Sequence, residues 1–341
     1  MFNIKKIIFL IIFSFLIFGI CFVIFEIYIA QVSKDVEKIT FEVKNGESVN
    51  NLANRLEKEK VIRNAWFFKK YLVLIDKDKQ IRVGEYYLTA PITLARVVEV
   101  LSELGLSEQT ITIIPGWNIR DVSKYLVSLE KFQAQEITNL LGLPAVKNNV
   151  PKLDLDLKIL QDKPDNISYE GYLAPDTYQI YKNASLENII NKLVQQRDKQ
   201  ITDQMWQDIE KSGKSFHEIL VMASILEREV KTFSDKKKVA DIFWRRLKMN
   251  WALQADSTVH YLVGKSGNVF TTAEDRSVDS LWNTYKYPGL PPSPICNPSL
   301  ESIQAALYPE KNNNWYFLTD KNGKVYYART LEEHNINKKY L

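Results

Sequence analysis

The residues with the clearest chemical potential lie in Phe216 to Val230, FHEILVMASILEREV. Good helix formers outnumber poor ones here, so the stretch is expected to be a helix. At about 100° per residue, Phe216, Ile219, Leu220, Ala223, Leu226 and Val230 share one apolar face. Glu227 falls near the middle of that face, Glu229 points the opposite way, and His217 and Glu218 lie off it. A carboxyl on the buried side of a helix is costly to ionise, and burial raises its pKa. A carboxyl that keeps its proton near neutral pH is what general acid catalysis requires. The alternative is that Glu227 pairs with a buried Arg or with backbone amides and only holds the fold.

Other polar groups recur in short clusters that the surrounding elements must carry toward such an acid. Tyr169 to Tyr178 is dense in Gly, Pro, aromatics and carboxylates, a mix that suits a substrate-lining loop. Leu253 to Val259, Asn283 to Tyr285 and the proline-rich Tyr287 to Pro298 follow. Asp256 and Thr258 sit where a helix could begin, so a purely local capping role competes with a binding role for both. Helices are expected over Leu186–Ile209 and Lys236–Lys248, irregular chain over Leu143–Ile167, and a helix over Ser299–Leu307. Strands at Trp315–Thr319 and Lys324–Ala328 read as a hairpin across Lys321-Asn322-Gly323.

Nearer the N-terminus, FEVKNGESVNNLANRL and ITIIPGWNIRDVSKYL share one pattern: strand, glycine turn, cap, amphipathic helix. Ser48 and Asn118 are the expected caps. Between them, helices are expected at Trp66–Ile75 and from Thr93 to Leu101, with a strand at Val83–Leu88. The segment reads as a small module that either holds glycan or serves as a spacer.

The composition is globular, 45% hydrophobic and 25% charged. A net charge of +4 over 341 residues gives no reason to propose a nucleic-acid partner. Ile7 to Ala30 is almost wholly apolar and follows Lys5 and Lys6, which predicts an uncleaved single-pass anchor with a cytoplasmic N-terminus. A cleaved signal peptide fits less well, since the run is long and no small-residue cleavage site follows it cleanly. The two cysteines, Cys21 and Cys296, are not expected to pair. The three histidines are scattered and suggest no metal site, and no cofactor is expected.

The ordered motifs Glu170-Gly171-Tyr172…Pro175-Asp176-Thr177-Tyr178, Ala223-Ser224-Ile225-Leu226-Glu227-Arg228-Glu229, Leu253 to Val259, Asn283-Thr284-Tyr285, Gly289-Leu290-Pro291-Pro292 and Pro294 to Pro298 resemble the MltG/YceG-like family of endolytic murein transglycosylases. The resemblance covers nearly the whole chain. It departs at Ala174, where the family commonly has an aromatic, and at Ser257, where it commonly has Pro. The resemblance implies an α+β chain: a cytoplasmic N-terminus (1–6), a transmembrane helix (7–30), a stalk (31–40), a LysM-like module (41–108) and a mixed α+β catalytic domain (109–341).

The resemblance further implies a lyase of the cytoplasmic membrane, acting outside the cytoplasm on nascent peptidoglycan. Such an enzyme cuts inside the strand between N-acetylmuramic acid and N-acetylglucosamine and leaves 1,6-anhydro ends. Glu227, the first glutamate of the motif, is implied as the catalytic group, serving first as acid and then as base. Glu170, Tyr172, Ser224, Gln254, Asp256, Thr258, Asn283 and Tyr285 are expected to contact the glycan, with Tyr172 and Tyr285 stacking on sugars. Peptidoglycan synthases are the expected partners. Two other readings stand beside this one. A muramidase-like hydrolase would use Asp256 or Glu170 to position water. A non-enzymatic glycan-binding scaffold would tolerate Glu227→Gln.

Overall fold

The computed structural model describes residues 4–30, 38–44, 46–81, 84–104, 108–181, 184–264 and 271–341. Most of the expected stalk, the turn residue Asn45 and the strand residue Val83 lie outside them. The architecture is mixed α+β and divides into two units, residues 1–111 with 179–185, and residues 112–178 with 186–341.

The first unit opens with α1 (Ile4–Ile24), continued by a π-helical turn at Phe25–Ile29. Phe15, Phe18, Ile20 and Phe22 on α1 are exposed. Among the described residues no helix is long and apolar enough to cross a membrane; the side chains of α1 are described only from Phe13 onward. Then come β1 (Lys38–Val43), α2 (Val49–Lys58), α3 (Ala65–Leu74), β2 (Gly84–Thr89) and α4 (Leu94–Glu99). β1 and β2 are antiparallel with Phe41 opposite Tyr86, and the two rings stack at 5.5 Å. Alternation turns Phe41, Val43, Tyr86 and Leu88 inward. Leu52 and Leu56 of α2 and Phe68 and Leu72 of α3 complete that core. Ser48, Asn64 and Thr93 each accept backbone N–H groups at the start of a helix. α4 ends at Glu99, and a π-helical turn at Val100–Leu104 replaces the rest of the expected α-helix.

β3 (Glu108–Ile113) then leads into α5 (Ile119–Val127) and α6 (Ala134–Leu141), and β4 (Asp176–Tyr181) pairs with β3. Asn118 caps α5 in a reciprocal capping box with Asp121. α6 was not foreseen; Gln133 and Glu136 box its start. The expected helix over Leu186–Ile209 is two, α7 (Leu186–Gln200) and α8 (Asp203–Ser212), because Thr202 restarts the backbone as an N-cap. α9 (Phe216–Glu229), α10 (Phe233–Lys248), α11 (Asp256–Val263), α12 (Ala273–Ser277) and α13 (Leu300–Leu307) form the rest of the helical body. β5 (Tyr316–Thr319) and β6 (Val325–Ala328) make the expected hairpin, followed by α14 (Leu331–Asn337).

α9 is the axis of the second unit. Ser215 and Glu218 close a capping box at its start. Phe216 and every residue from Ile219 to Leu226 are buried, so the helix is packed on all sides and has no single apolar stripe. Gly171 lies close by with φ +87°, where a Cβ would meet Pro294 at 2.6 Å. Only glycine fits that turn.

Candidate active site

Both motif glutamates sit in the last turn of α9, in opposite environments. Glu227 Oε2 accepts the Ser299 amide at 2.9 Å, Ser299 Oγ at 2.6 Å and Lys236 Nζ at 3.2 Å. Ser302 Oγ donates to the same oxygen. Burial pushes its pKa up, but Ser299, Ser302 and Lys236 outweigh burial, and the carboxyl ends below its ordinary value. The expectation of a raised pKa is therefore corrected. Glu227 is stabilised as an anion that holds α13 and α10 to the end of α9.

Glu229 is not the outward-facing residue the helical wheel suggested. The residue is partly covered, and its carboxyl is enclosed by neighbouring atoms. Burial raises its pKa, the nearby Asp256 charge raises it further, and Ser257 and Arg228 only partly offset the rise. Oε1 accepts the Ser257 backbone N–H at 3.2 Å. The backbone carbonyl of Glu229 accepts Thr319 Oγ1 from β5 at 3.3 Å. A carboxyl whose pKa burial has raised, near a partly open surface, is a candidate general acid.

α11 supplies the surroundings. Asp256, its first residue, is partly exposed and accepts Tyr285 Oη at 2.9 Å and Thr271 Oγ1 at 2.5 Å through Oδ1. Gln254 is exposed with φ +54°, and its backbone N–H donates to Thr284 O at 3.1 Å. Asp256 and Tyr285 belong to the polar surroundings of Glu229. Arg246, itself buried, donates to Leu253 O at 2.7 Å and Trp315 O at 2.6 Å, tying the turn before Gln254 to the hairpin. Desolvation lowers its pKa to about 10, against the opposing pull of Tyr316, Glu229 and Tyr285.

The other sequence candidates are buried and hydrogen-bonded within the protein. Glu170 is fully buried, and its two oxygens accept the Ile119 amide at 3.1 and 3.0 Å at the start of α5. Burial drives its pKa up to about 8 despite that amide and Tyr261. Tyr172 is fully buried; its hydroxyl meets His217 Nδ1 at 2.9 Å, so it cannot stack on a sugar. Ser224 Oγ donates to Val221 O and accepts the Ile295 amide at 3.0 Å, pinning the proline-rich loop to α9. Thr258 meets Thr284 Oγ1 at 2.9 Å. Asn283 Nδ2 donates to Arg276 O and Val278 O while Oδ1 accepts the Tyr285 amide. Thr258 and Asn283 hold the turns that present Gln254, Asp256 and Tyr285.

Sequence reasoning missed Glu229 because a helical wheel assumes a solvent-facing side. α9 has none along its buried length, and the neighbours that enclose Glu229 come from α11 and β5, remote in sequence.

Comparison with known proteins gives the chain its relatives. It is 32% identical over 333 residues to the endolytic murein transglycosylase of Bacillus subtilis, covering 96% of this chain and 91% of the relative. It is 28% identical to the protein of that name in Streptococcus pneumoniae, covering 88% of this chain but spanning only 57% of the relative. The crystal structure of a yceG-like protein from Listeria monocytogenes superposes with a TM-score of 0.58 at 32% identity, covering 88% of this chain and 99% of that one. The model of the YceG-like family matches residues 41–340, and the chain belongs to that family.

Proposed function

We propose that this chain is an endolytic peptidoglycan lytic transglycosylase, a lyase, with Glu229 as its acid and base. Family membership and the relatives' names support the reaction class. The single structural observation that carries the assignment is the enclosed carboxyl of Glu229, its pKa raised by burial and by Asp256, which Tyr285 Oη in turn reaches at 2.9 Å.

In this reading the Glu229 carboxylic acid gives its proton to the glycosidic oxygen between N-acetylmuramic acid and N-acetylglucosamine. The bond from that oxygen to the muramic C1 breaks. Positive charge develops on the sugar ring and its C1, and the carboxylate formed at Glu229 faces it. Glu229 then takes the proton of the muramic O6 hydroxyl as O6 bonds to C1. The product ends in the 1,6-anhydro sugar, no water is consumed, and Glu229 regains its proton. One carboxyl suffices, in contrast to the acid and base pair of ordinary glycosidases. Burial and the Asp256 charge raise the Glu229 pKa beforehand, and that negative charge also offsets the positive charge on the sugar. Tyr285, fixed by Asp256, offers an aromatic face to the glycan. Glu227 supports the end of α9 from the other side.

The run of apolar residues on α1 after Lys5 and Lys6 supports a single-pass anchor with a cytoplasmic N-terminus. The catalytic unit then works outside the cytoplasm, beside the synthases that extend the strand. The β1–α2–α3–β2 order supports a LysM-like reading of the first unit.

The test is digestion of uncrosslinked glycan strands by the full-length protein, with mass analysis of the new ends. Internal fragments with anhydro ends support the proposal. Fragments one water heavier make the protein a hydrolase, with Asp256 as the first candidate for positioning water. No cleavage at all favours a binding scaffold.

A further inference from the structure

A cavity of about 610 Å³ opens at the other end of α9, within the usual size of ligand sites. Val221, Trp244, Leu290 and Pro291 give it an apolar lining, and Lys147, Lys214 and Lys248 stand around it. Among the described residues neither the Lys147 nor the Lys248 side chain makes a hydrogen bond or ion pair. Lys214 Nζ lies 4.8 Å over the Trp244 ring. Glu218 is the one carboxylate of the lining, and its Oε2 already accepts the Ser215 amide at 2.8 Å. His217 is fixed by Tyr172 at Nδ1 and by Pro292 O, 3.0 Å from Nε2. The lining thus sets three lysines against one carboxylate, with Asp162 beside it on the His217 amide.

Three elements border both this cavity and the candidate active site. α9 runs from Glu229 back to Val221 and His217, a rise of about 12 to 18 Å. The chain runs from Tyr285 to Gly289 and Pro292. α10 carries Arg246, whose titration responds to Glu229, and then Leu247 and Lys248, which line the cavity.

We infer that this cavity binds the anionic peptide stem of the glycan strand, an assignment that rests on the proposed function. The sugars of such a strand are neutral, and its carboxylates lie on the short peptides attached to the muramic residues. An extended peptide of four or five residues reaches about 13 to 18 Å, the separation between Glu229 and the cavity along α9. Lysines suit the peptide carboxylates as point charges. The apolar lining suits the stem's small apolar side chains, and Glu218 suits the amino group that stems carry.

The experiment compares the full-length wild type with the double variant Lys147→Glu, Lys248→Glu. Substrates are strands bearing their stems and the same strands stripped of them by an amidase. Binding of a free synthetic stem pentapeptide is measured in parallel by calorimetry. The wild type is expected to show a KM about tenfold lower for stem-bearing strands. The double variant loses that preference and the pentapeptide binding, while its kcat/KM on stripped strands is unchanged. Equal KM values for the two substrates in the wild type, or a preference that survives in the variant, overturn the assignment. So does equal binding of an unrelated acidic peptide, which would mark a site for a partner protein. A wild type that binds the pentapeptide but cleaves neither strand refutes the proposed function and leaves the cavity assignment standing.

Discussion

The Ser257 backbone amide at the start of α11 donates to Glu229 Oε1 at 3.2 Å. The first turn of one helix is thereby tied to the last turn of another, and Asp256, the residue before Ser257, is brought to where its charge adds to burial in raising the Glu229 pKa. Glu227, two residues earlier, faces a lysine and two serines instead. The two carboxyls are set apart by their neighbours, not by their distance in sequence.

Glu227→Gln is expected to cost stability. It leaves the Lys236 ammonium, 5% exposed, without its carboxylate. Breaking a buried pair by removing one partner costs about 3 kcal/mol. Urea unfolding should show that loss as a lower midpoint with an unchanged slope. An unchanged midpoint would mean that the Glu227 cluster contributes little to the fold.

The rate should depend on pH through Glu229. The first step needs the protonated carboxyl, so kcat falls as pH rises through the raised pKa of Glu229. Asp256→Asn removes the negative charge that helps to raise it, which moves the falling limb to lower pH. A limb that stays in place in the variant, with the fold intact, would separate Asp256 from the acid.

Glu170 makes stability pH-dependent in its own way. Its folded pKa, driven up to about 8 by burial, lies above the ordinary carboxyl range of an unfolded chain. The stability it contributes is therefore complete below that ordinary range and is lost as pH rises toward about 8. Glu170→Gln should flatten this part of the profile, with a Tm that changes less than that of the wild type between about pH 5 and about pH 9. Parallel profiles would show that Glu170 stays ionised in the folded state.

Tyr285→Phe keeps the ring and removes the hydroxyl that reaches Asp256 at 2.9 Å. Asp256 retains Thr271, so the Tm should change little. Loss of one fixed contact should lower kcat/KM by about tenfold. A fall in Tm with unchanged kcat/KM would make the contact structural only.

Elements defined by local chemistry were legible in the sequence. The start of α9, the caps Ser48 and Asn118 and the β5–β6 hairpin all follow from residues adjacent in the chain. The split of α7 from α8 was legible in principle, through Thr202 as a cap. The roles within the clusters were not. Asn283 and Thr258 have the side chains of sugar-binding residues, yet the same groups serve equally well to lock turns. Of the polar clusters, Gln254, Asp256 and Tyr285 remain toward the surface, and that division depends on which faces α9 and α11 bury. Glu229 was misread for the same reason, since its enclosing partners lie about thirty residues away or more.

The most direct test sets Glu229→Gln beside Glu227→Gln in the full-length protein, with turnover on glycan strands and Tm measured together. Glu229→Gln should lower kcat by at least about a hundredfold, the usual contribution of a general acid, at a nearly unchanged Tm. Glu227→Gln should lose stability yet, while folded, keep measurable turnover. Near-normal turnover by Glu229→Gln, with activity abolished in a well-folded Glu227→Gln, would contradict the assignment and return the acid role to Glu227.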